Sequence, residues 1–141
     1  MGILELSATL ENFEPCMDFI RRESVETGFD EATVNQILLA SEEIVANVIN
    51  YAYAGSPAGL VNIRCDRLPN GISITVSDSG MPFDPLARQD PNIQLPGEER
   101  QIGGLGIYMT KQIMSEVRYA RQNDRNILTM TKLFPDPASQ T

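Results

Sequence analysis

The sequence of 141 residues predicts an α+β two-layer sandwich, in which a mixed, mostly antiparallel sheet carries its helices on one face. Two observations lead to this prediction. Segments of alternating apolar and polar residues are joined by short hairpin turns, and only three segments have the apolar spacing of a helix. Because the length is typical of one domain, we expect a single domain over residues 1–141.

The first part of the chain is predicted to contain a strand and two helices. Residues 2–10 indicate a short strand that runs into a turn, and residues 15–27 form an amphipathic helix that Gly28 ends. Asp30 has the position of an N-cap for a longer helix over about 31–53. Polar side chains share the face of that helix opposite its apolar stripe: Gln36, Glu43, Asn47 and Asn50.

The second part of the chain is predicted to be mostly strands. Residues 61–66 and 72–77 alternate on either side of Pro69-Asn70-Gly71, which is a strong turn signal. Residues 79–102 contain four prolines and little periodicity, and so long an irregular loop is usually functional or disordered. We then expect a glycine turn, a helix to about residue 115, a strand over 117–121, a turn over 123–126, a strand over 127–134 and a frayed tail over 135–141.

Composition excludes several classes of function. The net charge of −8 argues against nucleic acid as a direct partner, because binding phosphates needs clustered Lys and Arg. The chain has no histidine, which excludes His-based triads and phosphorylation of this chain on histidine. Cys16 and Cys65 are too few for a disulfide framework or a zinc site. The sequence shows neither a membrane-spanning run nor a signal-peptide start, so we expect a cytoplasmic protein that does not bind membranes.

A glycine-rich stretch, Ile102-Gly103-Gly104-Leu105-Gly106-Ile107, precedes the last predicted helix. Glycine allows close approach of another group, and the start of a helix favours negative charge. Together these properties predict a phosphate site, although a tight connection would have the same composition.

Asp78 has the same strand parity as the apolar residues Ile72, Ile74 and Val76, so its side chain is expected to point inward. A buried carboxylate needs hydrogen-bond donors, and a ligand amine such as the N6 of adenine is one source. The alternative is an aspartate that caps the turn at Ser79 and Gly80.

Glu43 and Asn47 are four residues apart and therefore lie on one face of the predicted helix. A carboxylate can accept a proton, and an amide oxygen can ligate Mg²⁺ beside phosphates. The alternative is an ordinary solvated polar face.

These three segments, in this order and spacing, resemble the ATP-binding boxes of the GHKL superfamily. Glu43-Ile44-Val45-Ala46-Asn47 resembles its N box, Asp78 to Pro85 resembles its first glycine box, and Gly103-Gly104-Leu105-Gly106 resembles its second. Within the superfamily, the chain is most similar to the RsbW-type anti-sigma factor serine kinases. The resemblance covers nearly the whole length and implies the Bergerat ATP-binding fold.

The resemblance also implies roles for individual residues. Glu43 matches the general base, Asn47 the Mg²⁺ ligand, and Asp78 the carboxylate that recognises adenine, with Gly80 allowing the base to approach.

The remaining implied roles concern the phosphates. Gly104, Leu105 and Gly106 match the turn that contacts them, and residues 84–102 match the ATP lid. Arg100 is the lid residue that we expect near the γ-phosphate.

Two positions depart from the family pattern. Tyr51 stands where the family often has a histidine, just after the N box. The family often has a threonine near adenine in the last strand, and the sequence leaves open whether Thr129 or Thr131 takes that place.

The resulting prediction is an enzyme that uses Mg-ATP to phosphorylate a serine of a small anti-anti-sigma protein, and that also binds a sigma factor. The resemblance suggests a homodimer. Two alternatives remain open at this point. One is a binding module that switches with nucleotide without phosphorylating a partner, and the other is the ATPase part of a two-component kinase.

Overall fold

The computed structural model describes residues 2–87 and 104–135, and it places one five-stranded sheet beneath a layer of helices. The strands are Gly2–Ser7 (β1), Leu60–Leu68 (β2), Gly71–Asp78 (β3), Glu116–Gln122 (β4) and Arg125–Leu133 (β5). Their order across the sheet is β1-β2-β3-β5-β4. All pairings are antiparallel, so the sheet expected to be mixed is antiparallel throughout its described strands. The predicted α+β sandwich is confirmed.

Three α-helices form the second layer: Phe13–Thr27 (α1), Glu31–Asn47 (α2) and Gly104–Ile113 (α3). The prediction of one helix over 31–53 is corrected, because the α-helical hydrogen-bond pattern ends at Asn47 and a π-helix over Val48–Ala52 follows. This wider turn leads directly into the site described below, and π-helical turns are frequent at functional sites.

The predicted helix ends between α1 and α2 are confirmed. Gly28 ends α1 in the left-handed region, at φ 113°, where a side chain would be strained. Asp30 caps α2, and its Oδ1 accepts a hydrogen bond from the Thr33 N–H at 2.8 Å. The side-chain hydrogen bond with Thr33 lowers the pKa of Asp30.

The core lies between the helices and the inner face of the sheet. The apolar stripe of α2 is buried, as its period predicts, and so are alternate residues of the central strands β3 and β5. Residues buried almost completely come from both layers: Ile20, Val34, Ile37, Val45, Ile63, Ile72, Ile74 and Met130.

The hairpin between β4 and β5 is tighter than the sequence predicts. Asn123 and Asp124 have φ values of 53° and 60°, and they alone form the turn. Positive φ at both central positions is the geometry whose twist suits antiparallel strands. Arg125 and Asn126, expected in the turn, instead belong to β5, where Asn126 pairs with Asp78 of β3.

Most of the predicted lid, residues 88–102, and the tail from 136 onward lie outside the described residues. Of the lid, residues 84–87 are described and include a 3₁₀ turn at Pro85–Ala87. Within the described ranges, none of the helices combines the length and apolarity needed to span a membrane.

Both cysteine thiols should be unreactive in the folded protein. Cys16 and Cys65 are buried and unpaired, and burial raises the pKa of Cys65 to about 12. The thiolate is the reactive form, so at pH 8 neither residue should react with a thiol reagent such as iodoacetamide. Mass spectrometry should show no label in the native protein and two labels after denaturation. Rapid labelling of the native protein would contradict the packing described here.

Candidate functional site

A pocket opens where the helical layer meets the ends of the central strands. Its walls come from α2 and the π-helix, from β3, β4 and β5, and from the segment that follows β3. The lining residues are Ile44, Asn47, Val48, Ala52, Val76, Asp78, Phe83, Pro85, Tyr119, Asn126 and Leu128. The lining is mostly apolar with a few polar groups, which is typical of a site for a small molecule.

Asp78 is the carboxylate of this pocket. Its side chain points inward, as its parity predicts, and only 4% of the residue is exposed. Oδ1 accepts a hydrogen bond from the Gly80 N–H at 2.8 Å and another from Asn126 Nδ2 at 2.9 Å. The turn cap that was one interpretation of Asp78 is therefore present, and the same side chain also lines the pocket.

Asn126 holds three parts of the site together. Its Nδ2 donates to Asp78 Oδ1 and, at 2.8 Å, to the Met81 carbonyl. Its Oδ1 accepts from the Phe83 N–H at 3.2 Å and from the Tyr119 hydroxyl at 2.5 Å. The sequence predicts Asn126 in a turn, and for that reason Asn126 is absent from the predicted site residues.

Neither threonine considered in the last strand reaches the pocket. Thr129 pairs with Thr75, and Thr131 pairs with Ser73, on the outer face of the sheet. The side chains that alternate with these threonines, Leu128 and Met130, are buried. Asn126 shares the parity of Leu128 and Met130, and this pattern is the sequence signal that identifies it as an inward-facing residue.

Gly80 is required by a close backbone contact. A Cβ at this position would overlap the carbonyl group of Ala52, the last residue of the π-helix. The Ala52 carbonyl also accepts a hydrogen bond from the Met81 N–H at 2.8 Å, and Arg121 Nη1 donates to the Gly80 carbonyl at 2.8 Å. Contact within the chain is thus sufficient to explain this glycine, whose predicted role was to admit the adenine base.

Tyr51 and Tyr53 support the rim of the pocket. The ring of Tyr51 stacks on Phe83, with centroids 6.1 Å apart, and Tyr51 is 52% exposed. The Tyr53 hydroxyl accepts from the Ser79 N–H at 2.9 Å and donates to the Leu60 carbonyl at 2.7 Å. These contacts attach the segment after β3 to the end of the helical run.

The two polar residues of α2 have different surroundings. Asn47 lines the pocket with Asp78, whereas Glu43 lies one helical turn earlier in a separate groove between α2 and α3. Both side chains are partly buried, whereas the residues of a fully solvated face would be exposed. The Glu43 carboxylate packs so closely on α3 that a Cβ at Gly106 would overlap it.

Thr110 fixes the position of α3 against α2. It is buried, and its hydroxyl lies 3.0 Å from both the Ala40 carbonyl and the Gly106 carbonyl. Ala40 lies on α2 close to Glu43, so this contact helps to keep Gly106 beside the glutamate.

The remaining predicted phosphate residues are only partly covered by the structure. Gly104, Leu105 and Gly106 belong to the first turn of α3, rather than to a turn before it. The first N–H groups of an α-helix have no partner within the helix, so this turn is suited to an anion. Arg100 lies outside the described residues.

A magnesium ion at this site would need ligands besides the described side chains. In the described part of the chain, no three acidic, histidine or cysteine side chains are grouped so that they would hold a metal ion. The amide oxygen of Asn47 is a hard oxygen donor at the pocket wall. Such a donor fits Mg²⁺ that takes its other ligands from phosphates and water.

Known proteins are similar to this chain in sequence and in fold. The family model of the histidine kinase-like ATPase domain matches residues 6–132. The chain is 20% identical over 128 residues to the serine/threonine-protein kinase BtrW of Bordetella bronchiseptica, covering 91% of this chain and 90% of that protein. It is 29% identical over 110 residues to the serine-protein kinase RsbW of Bacillus subtilis, covering 74% and 68%.

A solved structure shows the same fold. The structure of the RsbU and RsbW domains of Rv1364c from Mycobacterium tuberculosis superposes with a TM-score of 0.63 at 19% identity. The match covers 97% of this chain and 34% of that longer chain.

Replacing Gly80 by alanine should destabilise the protein. The new Cβ would overlap the Ala52 backbone carbonyl, which cannot move as a flexible side-chain end can, and overpacking of this kind costs about 1–3 kcal/mol. Urea denaturation should show this loss of unfolding free energy. The neighbouring exposed residue supplies the control, since Ser79→Ala should change stability by less than about 0.5 kcal/mol. Equal stability of both variants would show that the contact is not tight.

Proposed function

Because the chain belongs to the histidine kinase-like ATPase domain family, we propose that it is an ATP-dependent serine-protein kinase and anti-sigma factor. In this proposal it phosphorylates a serine of a small anti-anti-sigma protein and binds a sigma factor. The observation that carries the proposal is the buried carboxylate of Asp78 in one pocket with Asn47. The names of the related proteins, which are serine kinases, support the same activity.

The base of ATP would lie against Asp78. Both hydrogen bonds that the described residues donate to this carboxylate end on Oδ1. Oδ2 is then the acceptor for an exocyclic amine, and the apolar side chains of Ile44, Val76 and Leu128 provide surface for the flat ring. A hydrogen bond to a charged group contributes about 1.5–3 kcal/mol.

The phosphates would extend from this pocket toward α3. Asn47 lies between the base site and Glu43 along α2, and it would ligate Mg²⁺ through its amide oxygen. When bound, the ion would neutralise charge on the phosphate oxygens, which is the main requirement of phosphoryl transfer. The N–H groups in the first turn of α3 would contact the same phosphates.

Glu43 would act on the serine of the partner. Its carboxylate is held beside Gly106 in a groove that continues to the exposed side chains of Leu39 and Met109. A serine hydroxyl placed there would give its proton to Glu43 as its oxygen attacks the γ-phosphorus, while the bond from that phosphorus to the bridging oxygen breaks and ADP leaves. The chain has no histidine, so the base has to be another titratable side chain, and Glu43 is the one that the family resemblance implies.

Asp78→Ala should weaken nucleotide binding. Calorimetry with ADP and Mg²⁺ should show a loss of about 2 kcal/mol or more in binding free energy, because the variant removes a buried charged acceptor. Asp18→Ala is the matched control, since it removes the same charge from the exposed surface of α1. Equal affinity in wild type and Asp78→Ala would remove Asp78 as the base contact.

Glu43→Gln should separate binding from catalysis. The amide keeps the shape of the side chain, so Mg-ATP should still bind, while transfer of labelled γ-phosphate to an anti-anti-sigma protein should fall roughly 10²-fold. Glu31→Gln makes the same change at an exposed residue of the same helix, outside the groove, and should retain activity.

The same assay decides between the kinase and the nucleotide-switched module. A wild-type protein that transfers no phosphate, yet binds its partner with different affinity in ATP and in ADP, would contradict the kinase activity. A Glu43→Gln variant that transfers phosphate as well as the wild type does would exclude Glu43 as the base.

A further inference from the structure

The amide of Asn126 has all of its hydrogen-bonding capacity in use. An asparagine amide offers two N–H donors and two acceptor positions. The donors reach Asp78 Oδ1 and the Met81 carbonyl, and the oxygen receives the Phe83 N–H and the Tyr119 hydroxyl. Asn126 is 6% exposed, so water contributes little to this arrangement.

The orientation of this amide follows from its backbone partners. A main-chain carbonyl can only accept, and a main-chain N–H can only donate. A flipped amide would place its oxygen against the Met81 carbonyl and its nitrogen against the Phe83 N–H, which are two repulsive contacts. Nδ2 must therefore face Asp78.

This orientation determines what Asp78 can offer to a ligand. Oδ1 already accepts from Nδ2 and from the Gly80 N–H, so a proton on that oxygen would oppose two donors. The carboxylate is also held against rotation, because two donors from different segments bind Oδ1. One is the Gly80 N–H, which follows β3, and the other is Asn126 Nδ2 on β5. Oδ2 is left as an acceptor of fixed position at the pocket wall.

We propose that Asn126, braced by Tyr119, is a positioning residue that makes the pocket selective for 6-amino purines over 6-oxo purines. The inference rests on the proposed nucleotide site. An acceptor held in place pairs with the amine of adenine and repels the carbonyl oxygen of hypoxanthine or guanine. A site built to hydrogen-bond a group discriminates strongly against the analogue that lacks it.

The experiment compares ADP with IDP, which carries hypoxanthine in place of adenine. Calorimetry with Mg²⁺ gives the ratio of the two dissociation constants for the wild type, Asn126→Leu and Tyr119→Phe. Thr129→Val is the matched control, because Thr129 lies on the same strand with its hydroxyl on the outer face. Thermal unfolding of each variant identifies those that remain folded.

We expect the wild type and Thr129→Val to bind ADP at least about tenfold more tightly than IDP. In Asn126→Leu the ratio should fall about tenfold, because Asp78 loses the donor that fixes it. Tyr119→Phe removes only the hydrogen bond from the Tyr119 hydroxyl to Asn126 Oδ1 and should lower the ratio about two- to threefold. If Asn126→Leu does not fold, the ratio measured for Tyr119→Phe tests the inference.

An unchanged ratio in the folded variants would overturn the inference, even with weaker binding of both nucleotides, since a general loss of structure affects both equally. Binding of neither nucleotide by the wild type would instead refute the proposed function and the inference together.

Discussion

The pocket depends on the contact between the Ala52 carbonyl and the backbone at Gly80 and Met81. Here the end of the helical run meets the end of β3, at a separation that leaves no room for a Cβ. The 2.8 Å hydrogen bond from the Met81 N–H holds the two layers together at this point. Because Asn47 precedes this contact along the helical run and Asp78 precedes it along β3, closing it places both residues on the walls of one pocket.

The polar groups around this contact satisfy one another without filling the pocket. A buried polar group without a partner costs about 1–3 kcal/mol, so a network of this kind must be nearly complete to be stable. Asn126 is complete, and its bonds to Met81 and Phe83 also fix the path of the chain between β3 and the 3₁₀ turn at Pro85–Ala87. A ligand would therefore meet groups that are already oriented, and it would need to order few of them on binding.

The sequence predicts those features that depend on local periodicity. Alternation identified the hairpin of β2 and β3 and the inward direction of Asp78, and the capping rules identified Asp30. The π-helix was not predictable in this way, because its residues have a composition that also suits an α-helix. The reason for Gly80 was likewise hidden, since the group that excludes a side chain there is a carbonyl 28 positions earlier in the chain.

The last strand shows how a turn determines chemistry at a distance. The turn between β4 and β5 has two residues, with positive φ at Asn123 and at Asp124, so Arg125 and Asn126 are already paired with their neighbours. A shift in pairing by one residue would exchange the two faces of β5. Thr129 would then point inward, while Asn126 would point to the outer face. The register set by this turn thus places an amide, with two donors and two acceptors, beside Asp78. An amide can bind Asp78, the Met81 carbonyl and the Phe83 N–H together, which a hydroxyl with one proton cannot do.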